Sequence, residues 1–368
     1  MLDWRQIFAP GRAKRAAFIV LTLLIGVIGA VLYAYTNLPL PWFLGPMLAC
    51  LAVLTVRAPI ASSRRLTRLM RIVLGLAIGS AFTPEMIDRA GEMAISLMFV
   101  FPYVIFLGAI GYPYFRLFPG FDRVTSFLAA VPGGFQTMIA IGEDRKCDIR
   151  KLSIVHSTRI LVIVVLVPLW IQFSESIELP STIAVVAHFT ELTWQDVLIL
   201  IACGVFGDWA ARRLGISGAA IIGPMLVNGA LHMFGWVETR MPIELVNAAQ
   251  LVIGVHIGCQ FAGLTLRDII NPVLIAFGYS ILLLAGAALF TVLVVWATGI
   301  NEYAVALAYA PGGQPEMNLI ALVLNFDPAY VALHHLLRVM IIIVLAQLVI
   351  SRLLKTPQRG GKTGGQGA

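Results

Sequence analysis

Two Pro-Gly-Gly tripeptides, Pro132-Gly133-Gly134 and Pro311-Gly312-Gly313, stand inside segments 125 to 142 and 304 to 323, which are otherwise apolar enough to enter a membrane. Proline lacks the amide donor and paired glycines make a continuous helix costly, so the backbone is expected to break at both places. A break in hydrocarbon leaves N–H and C=O groups without partners, which is tolerated only beside protein or a water-filled cavity. Each break is therefore a candidate substrate-binding site. A free helix N-terminus attracts anions and a free C-terminal end attracts cations. Next to the breaks stand Gln136 and Thr137 in the first segment, and Gln314, Glu316 and Asn318 in the second. The alternative is a packing turn that holds no ligand.

Glu316 is the sharpest single residue, because a carboxylate at membrane depth costs about 3 kcal/mol even on the lenient insertion scale. It reads as a proton or cation coupling site, or as the structural partner of Arg338. His156 with Arg159, and His335 with Arg338, are three apart and share a helix face. Both arginines are candidates for binding a carboxylate or other anion, and both histidines for relaying protons. The competing role is structural: capping the carbonyls of the break, or pairing with Asp148, Asp327 or Glu316.

Other motifs are weaker. The Gly45-Pro46-Met47-Leu48 and Gly223-Pro224-Met225-Leu226 stretches read as turns, and Gly75/Gly79 and Gly254/Gly258 as close helix packing. His256 and Gln260 are candidates for lining a cavity. The four cysteines, Cys50, Cys147, Cys203 and Cys259, lack metal-ligand spacing, and no disulfide is expected. The six histidines form no ligand cluster beyond one adjacent pair. No metal, cofactor or catalytic constellation is expected: there is no GxxxxGK[ST], no HExxH and no Ser/His/Asp set.

The elements that must position these residues are membrane helices. Apolar residues make up 59% of the 368-residue chain and charged residues 12%, against about 25% in an ordinary soluble domain, and the mean hydropathy is +0.90. Runs 16 to 35, 39 to 56, 92 to 115, 152 to 172, 273 to 297 and 331 to 350 approach the ~20 residues needed to cross a bilayer. Arg5, Arg12, Lys14 and Arg15 before the first run resemble a signal peptide. No clean cleavage site follows, so the run is read as an uncleaved first span.

The chain repeats itself. Gly26 and Gly29 recur as Gly204 and Gly207, and the Gly-Pro-Met-Leu stretches recur, at a displacement of 178. Gly75, Ile78, Gly79 and Phe82 recur as Gly254, Ile257, Gly258 and Phe261 at 179, as do both Pro-Gly-Gly segments, Met138 and Met317, Asp148 and Asp327, His156 and His335, and Arg159 and Arg338. If each half has five spans and its Pro-Gly-Gly segment turns back, 22 of the 26 Lys and Arg residues fall on one side of the membrane. Six spans per half would place Arg145, Lys146, Arg150, Lys151, Arg212 and Arg213 outside. The first count makes the halves inverted copies.

The expected fold is thus an all-α polytopic membrane protein of two inverted repeats of about five transmembrane helices, each with a Pro-Gly-Gly re-entrant or broken helix. Its parts are a cytoplasmic basic N-terminus (1–15), membrane repeat 1 (16–172), an extracytoplasmic linker (173–192), membrane repeat 2 (193–352) and a disordered cytoplasmic tail (353–368). The bacterial inner membrane, with both termini cytoplasmic, is the expected location.

The paired Gly-Pro-Met-Leu stretches, Ala-x-x-Pro-Gly-Gly at Ala129 to Gly134 and Ala308 to Gly313, and the trailing His-x-x-Arg resemble the AbrB duplication family of bacterial membrane proteins over about residues 16 to 352. That family carries the inherited labels ammonia monooxygenase and AbrB family transcriptional regulator. What the resemblance implies is the fold rather than a mechanism. The residues favour neither label, since oxygenase ligands are not clustered and the longest polar stretch is the short tail 355 to 368. The expected function is secondary transport of a small anionic solute by alternating access, coupled to protons or sodium. The alternatives are a regulatory or sensory membrane protein that affects gene expression without transport, and a channel. Expected partners are the solute and the lipid bilayer, with no direct nucleic acid, and a homo-oligomer is compatible with the sequence.

Overall fold

The computed structural model describes residues 12–55, 59–86, 88–145, 147–174, 186–216, 218–261 and 266–355. Most of the basic N-terminus, the middle of the linker, and the tail beyond 355 lie outside the described residues. The architecture is nearly all helical. The first half contains α1 (Arg12–Ala34), α2 (Pro41–Thr55), α3 (Arg64–Gly79), α4 (Ala90–Leu117), α5 (Arg123–Ala130), α6 (Phe135–Asp144) and α7 (Ile149–Ser174). The second contains α8 (Trp194–Arg213), α9 (Ala219–Met233), α10 (Ile243–Gly258), α11 (Leu266–Thr298), α12 (Glu302–Tyr309), α13 (Gln314–Leu324) and α14 (Pro328–Lys355).

Seven of these helices, α1, α4, α7, α8, α10, α11 and α14, are long and apolar enough to cross a membrane. That fits a multi-pass membrane protein. Helices α2, α3 and α9 are shorter, at 15, 16 and 15 residues. The perimeter is apolar, as lipid contact requires: Trp296, Leu32, Val292 and Met98 are all exposed.

The helix bounds repeat with the sequence. Helices α3, α5 and α6 begin 179 positions before α10, α12 and α13, and α2 begins 178 before α9. The same starts arise from the same local chemistry. Asp122 caps α5 by accepting from the Val124 and Thr125 amides, and Asn301 caps α12 by accepting from those of Tyr303 and Ala304. Asp148 and Asp327 likewise accept from the Lys151 and Tyr330 amides at the starts of α7 and α14.

The halves interlock crosswise into two bundles. Helices α1 to α3 pack with α8 to α10, and α4 to α7 pack with α11 to α14. In the first bundle, a Cβ on Gly75 or Gly79 of α3 would strike the carbonyls of Ile221 and Met225 on α9. On α10, Gly254 and Gly258 face the Phe43 and Met47 carbonyls of α2 in the same way. The expected small-residue packing is thus present, each half contributing the glycines to the other's helix.

The Gly-Pro-Met-Leu stretches are not turns. Pro46 and Pro224 lie inside α2 and α9. Gly45 meets the Gly29 carbonyl of α1, and Gly223 that of Gly207 on α8. The glycine admits a neighbouring backbone while the helix continues through the proline, which buried spans tolerate.

In the second bundle α4 and α11 run antiparallel. Tyr114 donates to the Ile275 carbonyl at 2.8 Å, Phe115 packs on Tyr279 at 4.7 Å between ring centroids, and Tyr103 packs on Phe290 at 5.0 Å. Numbers fall along one helix as they rise along the other.

Candidate binding site at the two helix breaks

Both Pro-Gly-Gly segments break their helices. Helix α5 ends at Ala130 and α6 starts at Phe135; α12 ends at Tyr309 and α13 starts at Gln314. The residue before each proline is extended, Val131 at φ −88°, ψ 124° and Ala310 at φ −52°, ψ 128°, because the proline ring disfavours helical geometry there. The first glycine of each pair lies under a methionine of the next helix. A Cβ on Gly133 would meet Met138 Cε at 2.6 Å, and one on Gly312 would meet Met317 Cε at 2.8 Å. These two glycines, with buried Pro132 and Pro311, shape the break by packing.

The carbonyls freed at the end of each short helix are capped across the halves. Tyr103 on α4 donates to the Tyr309 carbonyl at 2.5 Å, and Tyr279 on α11 donates to the Ala130 carbonyl at 2.5 Å. Residues 130 and 309 are equivalent, yet each tyrosine comes from the opposite half.

Arg338 completes the second break. Its Nη1 donates to the Ala310 carbonyl at 2.7 Å, and its Nη2 donates to the Gly312 carbonyl at 3.1 Å and to His335 Nδ1 at 2.8 Å. Because His335 Nδ1 accepts that bond, its Nε2 carries the proton and donates to the Leu307 carbonyl at 3.0 Å. Capping of carbonyls, not pairing with Glu316, is therefore the structural work of Arg338 here. Asp148 and Asp327 pair elsewhere, with Lys151 at 3.1 Å and Arg89 at 3.3 Å. The adjacent His334 takes part in a separate buried chain, with Ser96 Oγ at 2.8 Å from its Nε2 and Tyr330 Oη at 2.5 Å from the serine.

The first break is different. The Val131 carbonyl is already taken by the Gly133 amide at 2.8 Å. Arg159 is 1% exposed, and its Nε and Nη1 have no acceptor. His156 is fully buried against Phe135, at 6.5 Å between ring centroids, and neither ring nitrogen makes a well-formed hydrogen bond. A buried guanidinium with two unpartnered nitrogens is costly enough to need an explanation.

The second break supplies further unpaired polar atoms. Glu316 Oε2, both side-chain amide atoms of Asn318, and Gln314 Nε2 are buried without partners. Glu316 and Arg159 act on each other's charge, Arg338 also acts on that of Arg159, and Arg71 of α3 acts on Glu316 from the other bundle. The structure thus brings Arg159, Arg338 and Glu316 into one electrostatic cluster. Thr137 is half-buried on α6, and the Gln136 side chain lies outside the described residues. Arg71, Tyr103 and Tyr279 are members that sequence reasoning missed.

The ends of the broken segments also come together. Phe121, just before α5, lies under Lys151 Nζ of α7 at 5.1 Å and stacks on Phe115 near the C-terminal end of α4. Tyr303 at the start of α12 packs on Phe326 just before α14, at 5.2 Å, and Asp327 meets Arg89 beside the N-terminal end of α4. A cavity of about 320 Å³ with largely apolar walls runs between α7, α11 and α12, from Trp170 and Glu302 to Ala310.

The model of the family described as "Transition state regulatory protein AbrB" matches residues 42–354. The chain belongs to the AbrB family. It is also similar to the Bacillus subtilis (strain 168) protein named "Uncharacterized protein YhjN", with 25% identity over 345 residues that cover 87% of this chain and 89% of that protein. The match to the AbrB family takes in both helix breaks, both His-x-x-Arg pairs and all of α3 to α13.

Proposed function

We propose that this AbrB family member is a secondary carrier of a small anionic solute, working by alternating access between its two bundles. The observation that carries the reading is Arg159: a buried cation with two unpartnered guanidinium nitrogens, beside helix breaks whose charged groups act on it. An anion from solution would neutralise it, where the equivalent Arg338 is already held by carbonyls.

The proposed topology has five spans per half, α1 to α4 and α7, then α8 to α11 and α14, with each Pro-Gly-Gly segment a re-entrant hairpin. Three observations support it. The residues flanking each broken segment lie near one another, as in Phe121 with Lys151 and Tyr303 with Phe326. The two mouths sit at opposite ends of α4, a helix of 28 residues, about 42 Å at ~1.5 Å per residue. Equivalent helices α4 and α11 run antiparallel, the relation expected of inverted repeats.

Charge supports an orientation. The first mouth carries Arg116, Arg123, Arg145, Arg150 and Lys151, whereas the second carries Glu302 and Asp327 with Arg89. The first therefore faces the cytoplasm of a bacterial inner membrane, with both termini on that side. The cavity that reaches Ala310 would give access from the other side, and its walls suit a solute with hydrocarbon as well as charge. Proton or sodium coupling would act through Glu316, between Arg159 of one bundle and Arg71 of the other. The name of the family speaks of regulation; in this reading, regulation would act through the solute moved.

The test is flux. Purified protein in liposomes should take up one or more organic acids under an imposed proton or sodium gradient, and Arg159→Leu should abolish uptake. Saturable binding without flux in any gradient would favour a sensor and count against a carrier.

A further inference from the structure

The duplication makes one difference between the halves directly comparable. The third residue of α13 is Glu316, and the third residue of α6, 179 positions earlier, is Thr137. Glu316 folds its carboxylate back over the helix start, where a Cβ on Gly313 would collide with Glu316 Oε2. The anion-attracting end of α13 is thus filled by the chain itself.

Helix α6, of ten residues, starts after a glycine without a side-chain cap, as α13 does, but carries a hydroxyl rather than a carboxylate at that third position. An independent observation points to a ligand there. Arg159 lies on α7, which packs on α6, one turn after the His156 that meets Phe135, the first residue of α6. It is 1% exposed, with two guanidinium nitrogens unpartnered.

We infer that the N-terminus of α6, together with Arg159, is the seat of a carboxylate group of the solute, and that Glu316 is the chain's built-in version of the same contact in the second half. A carboxylate accepts both from helix-end amides and from a forked guanidinium, and its chemistry is that of the group already seated on α13. The inference rests on the carrier reading for its purpose, but the seat is a matter of binding alone.

The experiment measures unfolding temperature against ligand concentration for the full chain in detergent, with acetate, lactate and succinate as probes and sulfate and phosphate as tetrahedral controls. Thr137→Glu should place a carboxylate in the seat and weaken binding of the bound acids at least about tenfold, whereas Thr137→Gln, similar in bulk to Glu but neutral, should weaken it clearly less. Glu316→Thr should open the second seat, and equilibrium dialysis of the labelled acid should then find a second equivalent. The inference is overturned if Thr137→Glu binds like wild type, if Thr137→Gln loses as much, if sulfate or phosphate binds better than every carboxylate, or if none of the three acids binds. Binding that Thr137→Glu removes, without flux in liposomes, would leave the seat standing and remove the carrier. Carboxylate flux that survives Thr137→Glu would do the reverse.

Discussion

The hydroxyl of Tyr103 donates to the carbonyl of Tyr309, the last residue of α12, at 2.5 Å. Its counterpart, Tyr279 on Ala130, makes the same bond at the same point of the other half. Each half therefore depends on its partner to satisfy a carbonyl that its own proline has released. Removing the hydroxyl leaves a buried acceptor unpaired, which costs about 1–3 kcal/mol. Tyr103→Phe and Tyr279→Phe should each lower the unfolding midpoint in detergent by a similar amount. A midpoint that does not move in either variant would mean that these carbonyls find other donors.

The two arginines should separate sharply. Arg338→Leu removes charge-assisted bonds to two carbonyls and one histidine, each charged bond contributing about 1.5–3 kcal/mol, so a loss of about 3 kcal/mol or more is expected. Arg159→Leu breaks no well-formed bond at Nε or Nη1 and removes a buried charge, so its midpoint should hold or rise while anion binding disappears. Thermal unfolding of the two purified variants decides the matter; equal losses would contradict the asymmetry between the breaks.

That asymmetry also marks where the sequence stops being readable. The breaks themselves were legible, because proline and its preceding residue act through local covalent geometry. Arg159 and Arg338 look alike in sequence, each three after a histidine. Only the turn in which the Gly133 amide takes the Val131 carbonyl distinguishes them. The tyrosine caps were hidden for another reason: Tyr103 and Tyr279 are 176 apart, out of register with the repeat, and their bonds cross between halves. Arg71 was lost among the 22 basic residues counted on one side of the membrane, although it acts on Glu316. The Gly-Pro-Met-Leu stretches were misread as turns because helix continuity through proline depends on the neighbouring helix.

The crosswise glycine contacts predict a graded series. Gly75→Ala and Gly254→Ala press a methyl against the Ile221 and Phe43 carbonyls, and overpacking of this kind costs about 1–3 kcal/mol. Gly108, on α4, has nothing within 4 Å of a built Cβ, so Gly108→Ala should stabilise by about 0.5–1 kcal/mol through helix propensity. Unfolding midpoints that rank all three alike would argue against the tight α3–α9 and α2–α10 crossings.

The linker end provides a pH-dependent contact at the exposed start of α10. His188 Nδ1 lies 3.0 Å from Glu244 Oε1, and this hydrogen bond to a carboxylate raises the imidazole above its ordinary value of 6.5. A raised value means that the folded state holds the proton more tightly. The stabilisation is full below the ordinary value and fades as pH rises through the folded one. Histidine NMR should find His188 titrating above its ordinary value, and Glu244→Gln should bring it back toward about 6.5. An unchanged titration in that variant would assign the shift to another group.

The proposed topology makes the strongest demand on the fold, because it requires both flanks of one broken segment to share a side and the two segments to open on opposite sides. Phe118, Arg145, Glu302 and Asn325 are exposed and flank α5, α6, α12 and α13. Single cysteines at these positions, in a chain whose Cys50, Cys147, Cys203 and Cys259 are replaced by serine, can be labelled with a membrane-impermeant maleimide in intact cells. Positions 302 and 325 should react, and 118 and 145 should react only after the membrane is opened, because the basic mouth faces inward. Labelling 118 and 145 from opposite sides would mean that the first segment crosses as a broken helix. Labelling all four from one side would remove the inversion of the halves, and with it the reason for the two breaks to meet from opposite faces of the membrane.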